Sequence, residues 1–209
     1  MEQLSAIFYK LTMRLFHAFG TSVEPQAVRS VLITSARSGE GKSFIAQQLS
    51  AYLAGMSNEK ILLVDANFEQ ANARQDKGAA NGNGFSDCLT SGEYANLDFR
   101  ATKYPNLSVL SVGRNCKPGL LFKPQPVQEF LERMAGKFSV VLIDGGTAST
   151  SGCLPHVAGG IILVVDTLKT RREVVQGAMA NMDVDAGKYY GVILNKKVHY
   201  IPTSFYKFL

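Results

Sequence analysis

Lys42 and Ser43 close the stretch Ala36-Arg37-Ser38-Gly39-Glu40-Gly41-Lys42-Ser43, and their types and spacing imply chemistry on a polyanion. Gly39 and Gly41 carry no Cβ, so backbone amides there can turn inward and cradle phosphate oxygens. Lys42 supplies a movable ammonium for β- and γ-phosphates, and Ser43 a hydroxyl for Mg²⁺. The residues ahead of the loop, Val31 to Thr34, read as a buried strand. Those behind it, Phe44 to Ala54, are good helix formers. Strand, glycine-bearing loop and helix make a P-loop, and the helix N-terminus adds partial positive charge and unpaired N–H groups. The strict pattern begins with Gly, where Ala36 stands here. These residues imply nucleotide binding.

Two carboxylates come next. Lys60-Ile61-Leu62-Leu63-Val64-Asp65 reads as a central parallel strand that delivers Asp65 at its C-terminal edge. Phe138 to Ile143 delivers Asp144 in the same way, and Tyr190-Gly191-Val192-Ile193-Leu194-Asn195 delivers Asn195. In an open α/β sheet, ligands sit at the carboxyl ends of the strands, so Asp65, Asp144 and Asn195 should gather around the P-loop.

The elements that must position them follow in order. Leu107 to Gly113 and Ile161 to Val165 read as further strands. Phe85 to Leu89 and Gln125 to Ala135 read as helices. Thr170-Arg171-Arg172-Glu173 has the form of a capping box opening a helix that ends near Gly187. Residues 69–83, with Gly78 and Gly82, read as a mobile loop. The alternation predicts an α/β fold, a doubly wound and mostly parallel sheet. Ahead of it, Leu4, Ile7, Phe8, Leu11, Leu15, Ala18 and Phe19 form one apolar stripe at helical spacing. The expected organisation is an amphipathic helix over 1–20, a linker over 21–29, a nucleotide-binding domain over 30–197 and an aromatic tail over 198–209. The helix could cover its own domain, a partner or a membrane face.

Composition sets the bounds. Of 209 residues, 46% are hydrophobic and 19% charged, which describes a globular chain able to bury a core. The net charge of +5 permits a nucleotide, an acidic membrane or nucleic acid and selects none of them. Cys88, Cys116 and Cys153 are odd in number and far apart, so neither a disulfide framework nor a zinc cluster is expected, and a reducing cytosol is. No apolar run reaches the roughly 18 residues that span a bilayer.

With the P-loop at 36–43 and strands ending in Asp65 and Asp144, the chain resembles the MinD/ParA-like P-loop ATPases. Within them it is most similar to the cytoplasmic domain of bacterial tyrosine kinases (BY-kinases), which work with polysaccharide co-polymerases in capsule and exopolysaccharide export. Further shared pieces are Asn83-Gly84-Phe85-Ser86-Asp87-Cys88-Leu89, Pro118-Gly119-Leu120-Leu121 and Gly191-Val192-Ile193-Leu194-Asn195. The resemblance implies ATP and Mg²⁺ as cofactors and a tyrosine autokinase or ATPase as the activity. Ser38, Gly39, Glu40, Gly41, Lys42, Ser43 and Phe44 would hold the phosphates, and Asn195 the adenine. Lys42, Asp65 and Asp144 would be catalytic, and Ser43, Asp65 and Asp144 would serve the metal. Asp65 would also be the base for an incoming hydroxyl. The implied partner is the cytoplasmic tail of a membrane co-polymerase, with the chain at the inner face of the cell membrane and any membrane contact indirect or peripheral. No nucleic-acid partner is expected.

The departures bear on activity. The family carries a second Asp and then an Arg after its first strand-end Asp; here Asn67 and Glu69 stand there. A Pro-Pro pair is replaced by Gly145-Gly146-Thr147, and the MinD/ParA signature lysine by Arg37. The Glu and two Arg that build the family's ring align with Ile7, Lys10 and Met13, which leaves a homo-oligomer open. A tyrosine-rich tail is reduced to Tyr200 and Tyr206. Three readings therefore stand: an autokinase, a catalytically weak nucleotide-dependent regulatory module, and a MinD/ParA-type membrane-associated ATPase.

Overall fold

The computed structural model describes residues 9–13, 29–70, 83–114 and 116–197. In chain order the principal elements are β1 (Arg29–Ser35), α1 (Lys42–Met56), β2 (Ile61–Asp65), α2 (Phe85–Ser91), β3 (Phe99–Ala101) and β4 (Leu107–Leu110). They continue with α3 (Pro124–Ala135), β5 (Val140–Thr147), α4 (Leu154–Val157), β6 (Gly160–Asp166), α5 (Arg172–Met182) and β7 (Tyr189–Asn195). Among the described residues the strands form one sheet in the order β3-β4-β2-β5-β1-β6-β7. Every pairing is parallel except β3 with β4.

The period-two geometry of a strand decides which layer each side chain joins. Val31 and Ile33 of β1, Ile61 and Leu63 of β2, and Val140 and Leu142 of β5 pack with Ile45, Leu49 and Leu53 of α1. The alternate residues, Leu32, Leu62, Val64, Val141 and Ile143, face the other side, among Phe85 of α2 and Phe130, Leu131 and Met134 of α3. Burial on both faces is why these strands read as continuous apolar runs rather than alternating ones. Phe85 and Phe130 meet edge to face, with ring centroids 4.9 Å apart. Truncating a fully buried ring such as Phe130 to alanine costs about 3–5 kcal/mol, enough to threaten a domain of ordinary stability.

Several boundaries differ from the sequence reading, each for a physical reason. β3, a three-residue antiparallel edge strand, was too short to carry a periodic signal. β4 ends at Leu110, because the backbone of Ser111 and Val112 turns to accept the amides of Phe85 and Ser86. Arg29, assigned to the linker, already pairs with Val140. The expected capping box at Thr170 does not form: Arg171 is the N-cap of α5, and the Thr170 hydroxyl donates to Glu40 instead. That helix ends at Met182 rather than near Gly187, with Asp183 in the left-handed region at φ 47°.

Of the N-terminal apolar stripe, only Leu11 is among the described residues; it is buried in the core cluster on the α1 side. The rest of the stripe, the greater part of the linker, residues 71–82 of the expected mobile loop and the tail from Val198 lie outside the described residues. No helix among the described residues is long and apolar enough to cross a membrane.

Candidate functional site

The sheet brings the loop of Ala36 to Gly41 to the carboxyl end of β1, flanked by β5 on one side and β6 on the other. The loop turns as its glycines allow: Gly39 has φ 80° and Gly41 φ 95°, both in the left-handed region. Gly41 is also bounded by a close approach. A Cβ there would lie 2.3 Å from Asn195 Nδ2. Gly41 is the N-cap of α1, so the first amides of α1, those of Lys42, Ser43 and Phe44, open towards the loop. This is a cradle for an anion.

Lys42 is 2% exposed. Burial pushes its ammonium below the ordinary lysine range, while Asp144, then Glu69, then Glu40 pull it back up. Asp65 and Asp144 are register partners across β2 and β5. The Ala66 amide donates to Asp144 O at 2.9 Å, which binds the end of β2 to β5 just where the two carboxylates emerge.

β5 does not stop at Asp144. It runs on through Gly145 and Gly146 to Thr147, which pairs with Ser35 across a register shift. A Cβ at Gly145 would meet Leu32 Cδ1 at 2.6 Å, and one at Gly146 would meet Thr150 Oγ1 at 2.4 Å. The Gly-Gly pair thus fits a tight passage beneath the loop, sealed by the Thr34 hydroxyl donating to Gly146 O at 2.8 Å.

Asn67 is buried beside Asp65, and its amide donates to Asp65 Oδ1 at 3.0 Å. Its side-chain oxygen accepts from the Gln70 amide, whereas its Nδ2 has no hydrogen-bond partner. A ligand oxygen would satisfy this buried donor. Positive-φ glycines, a buried ammonium, a hydroxyl at Ser43 and two carboxylates form a donor set that fits a nucleotide phosphate with Mg²⁺. That cation takes one or two carboxylates and completes its shell with water and phosphate.

No protein-family model matches the sequence. Over 197 residues the chain is 27% identical to the tyrosine-protein kinase CpsD of Streptococcus agalactiae serotype III (strain NEM316), covering 90% of this chain and 83% of that one. The chain is similar to the bacterial tyrosine kinases. Among solved structures, the chimerical protein CapA2B2 superposes with a TM-score of 0.74 at 21% identity, over 92% of this chain and 84% of that one. A chain of the MinC:MinD cell division protein complex of Aquifex aeolicus gives 0.58 at 21%, over 85% and 71%. The fold is the α/β fold of the BY-kinases and MinD/ParA-like P-loop ATPases.

Set against the kinase pattern, the structure brings Lys42, Ser43, Asp65, Asp144 and the loop residues Ser38 to Gly41 to one end of the sheet. Phe44 is half-exposed on α1. Arg37 is an exposed side chain whose backbone amide donates to Glu40 Oε2 at 2.8 Å. The Asn195 amide, expected at the adenine, donates through Nδ2 to Glu40 O at 2.8 Å. The Asn195 backbone oxygen accepts from the amide and the hydroxyl of Thr167.

Four residues that matter here escaped the sequence reading in this role. The Glu40 carboxylate is buried and accepts from the amides of Arg37 and Asp166 and from the Thr170 hydroxyl. Lys196 donates to Gly39 O and to Asp166 Oδ2, and its ammonium holds Asp166 below the usual carboxylate range. Asp166 ends β6 just as Asp65 ends β2, a signal that was present in the sequence. Glu40 and Thr170 carried no signal of this tie, because one reads as a phosphate-loop residue and the other as a helix cap until the fold brings them together.

Proposed function

We propose that this chain binds ATP with Mg²⁺ and is a BY-kinase-like protein of capsule or exopolysaccharide biosynthesis and export. In this reading it works at the inner face of the cell membrane through the cytoplasmic tail of a membrane polysaccharide co-polymerase. The observation that carries the reading is the convergence of buried Lys42 with Asp65 and Asp144, register partners at the strand ends beside the glycine cradle. Bound ATP·Mg²⁺ supplies a transferable phosphoryl group and the cation that neutralises it. Lys42 holds positive charge against the β- and γ-phosphates. Ser43, Asp65 and Asp144 are the oxygen ligands offered to the metal. Asp65 takes the proton of an incoming tyrosine hydroxyl.

A second reading has a specific observation behind it. Asn67 stands where the kinase pattern has a carboxylate, and Glu69, where it has an arginine, is close enough to act on Lys42. Both substitutions weaken the charge pattern that phosphoryl transfer requires, while leaving the residues that hold the nucleotide. The chain then acts as a nucleotide-dependent regulatory module whose own phosphotransfer is slow. The MinD/ParA-type membrane ATPase is disfavoured, because Leu11 of the N-terminal stripe is buried in the chain's own core.

Labelled ATP, with and without the cytoplasmic tail of a candidate co-polymerase, tests the proposal. Slow phosphate incorporation that the tail accelerates and Asp65→Ala abolishes is the expected result. Incorporation that Asp65→Ala leaves unchanged would refute the assignment of the site.

A further inference from the structure

Two consecutive peptide units of the loop are held by the two residues at the end of β7. Lys196 Nζ donates to Gly39 O at 2.9 Å, and Asn195 Nδ2 donates to Glu40 O at 2.8 Å. The described backbone contains no cis peptide bond. In a trans peptide the C=O and the following N–H point in opposite directions. With the Gly39 carbonyl drawn to Lys196, the Glu40 N–H is turned away from it; with the Glu40 carbonyl drawn to Asn195, so is the Gly41 N–H. These are two of the amides an anion cradle needs.

The backbone at the end of β7 turns sharply. Lys196 adopts φ 56°, a left-handed conformation uncommon for a residue with a side chain. Its backbone amide is fixed by Asn195 Oδ1 at 2.9 Å. The reversal sends the Lys196 side chain back over the loop, where its ammonium also meets Asp166 Oδ2 at 2.7 Å. Asp166 is itself anchored: it is 2% exposed, and its amide donates to Glu40 Oε1. A side chain that is 41% exposed is thereby held at both contacts.

We infer that Asn195 and Lys196 are positioning residues that pull the Gly39 and Glu40 carbonyls outward and so pre-aim the loop amides at the nucleotide phosphates. The inference rests on the nucleotide-binding reading above. It assigns Lys196 a task that is neither contact with substrate nor long-range attraction of an anion, and the two can be separated.

The experiment is calorimetric titration with Mg²⁺·ATP of the parent, Lys196→Met, Lys196→Arg and Asn195→Ala, at low salt and at about 1 M NaCl, where the Debye length is only ~3 Å. Loss of one charge-assisted hydrogen bond that shapes the site should weaken binding by about tenfold or more in Lys196→Met. The deficit should persist at high salt, and Lys196→Arg should recover part of it. Asn195→Ala, which changes no charge, should show a deficit as well, and it carries the test alone if Lys196→Met fails to fold. A deficit in Lys196→Met that vanishes at high salt, or variants that lose thermal stability but bind like the parent, would overturn the inference. A parent that does not bind Mg²⁺·ATP overturns the nucleotide reading itself, and the inference with it.

Discussion

Glu40 and Asp166 are joined across the loop: Glu40 Oε1 accepts the Asp166 amide at 3.0 Å, tying the P-loop to the end of β6. The same carboxylate accepts from the Arg37 amide at 2.8 Å and from the Thr170 hydroxyl. Removing a buried carboxylate that accepts from three donors leaves those donors unsatisfied. Glu40→Ala should therefore lower unfolding free energy by about 2–4 kcal/mol. Urea unfolding followed by circular dichroism measures this, and a variant as stable as the parent would show that Glu40 is not a structural tie.

Lys42 behaves in the opposite way. Burial lowers its pKa, so the folded chain holds the charged form less willingly than the unfolded chain does. Below the lowered value the buried charge is a full cost to the fold. As pH rises from there through the ordinary lysine range, about 10.4, the unfolded state binds more protons and the cost fades. Lys42→Met should thus be at least as stable as the parent without nucleotide at neutral pH, and the gap should narrow as pH rises through that window. Denaturant midpoints of both proteins across alkaline pH check this; a neutral-pH loss of stability in Lys42→Met would contradict it.

Asn67 and Glu69 set the third expectation. A swing from Arg to Glu moves two units of charge near Lys42, although Glu69 is exposed and screened by water. Asn67→Asp with Glu69→Arg should raise phosphotransfer by about tenfold, allowing for that screening. Steady incorporation of label from ATP is the measurement, and an unchanged rate would show that these positions do not limit the chemistry.

The cysteines give a fourth. Cys88, Cys116 and Cys153 are free and buried, and burial raises all three thiols, Cys88 to about 12. A thiol so placed has little thiolate at neutral pH. The native protein should react slowly with a thiol-exchange reagent and all three groups should react fast once unfolded. Rapid native reaction of any of them would contradict the packing around it.

Much of this was legible in the residues. The apolar runs at 61–64 and 140–143 announced parallel strands because both faces are buried, and the P-loop was marked by Gly39, Gly41, Lys42 and Ser43 in a strand-loop-helix context. Asp65 and Asp144 followed from strand ends. What stayed hidden depends on distant parts of the chain meeting. Thr170 read as a capping residue because a Ser or Thr three before a Glu usually is one, and only the fold offers it the Glu40 carboxylate. The hydrogen bond from Asn195 to the Glu40 carbonyl was not legible, because the two residues lie 155 positions apart in the chain. Lys196 has no local signature at all, since its left-handed backbone and its reach to Gly39 exist only once β7 lies beside β6.

The central claim is that Lys42, at the head of α1, holds the phosphates of a nucleotide. Its most direct test is calorimetric titration of Mg²⁺·ATP into the parent and into Lys42→Met, with circular dichroism to show that both are folded. The account predicts saturable binding by the parent and none by Lys42→Met. Equal binding by the two folded proteins would contradict it.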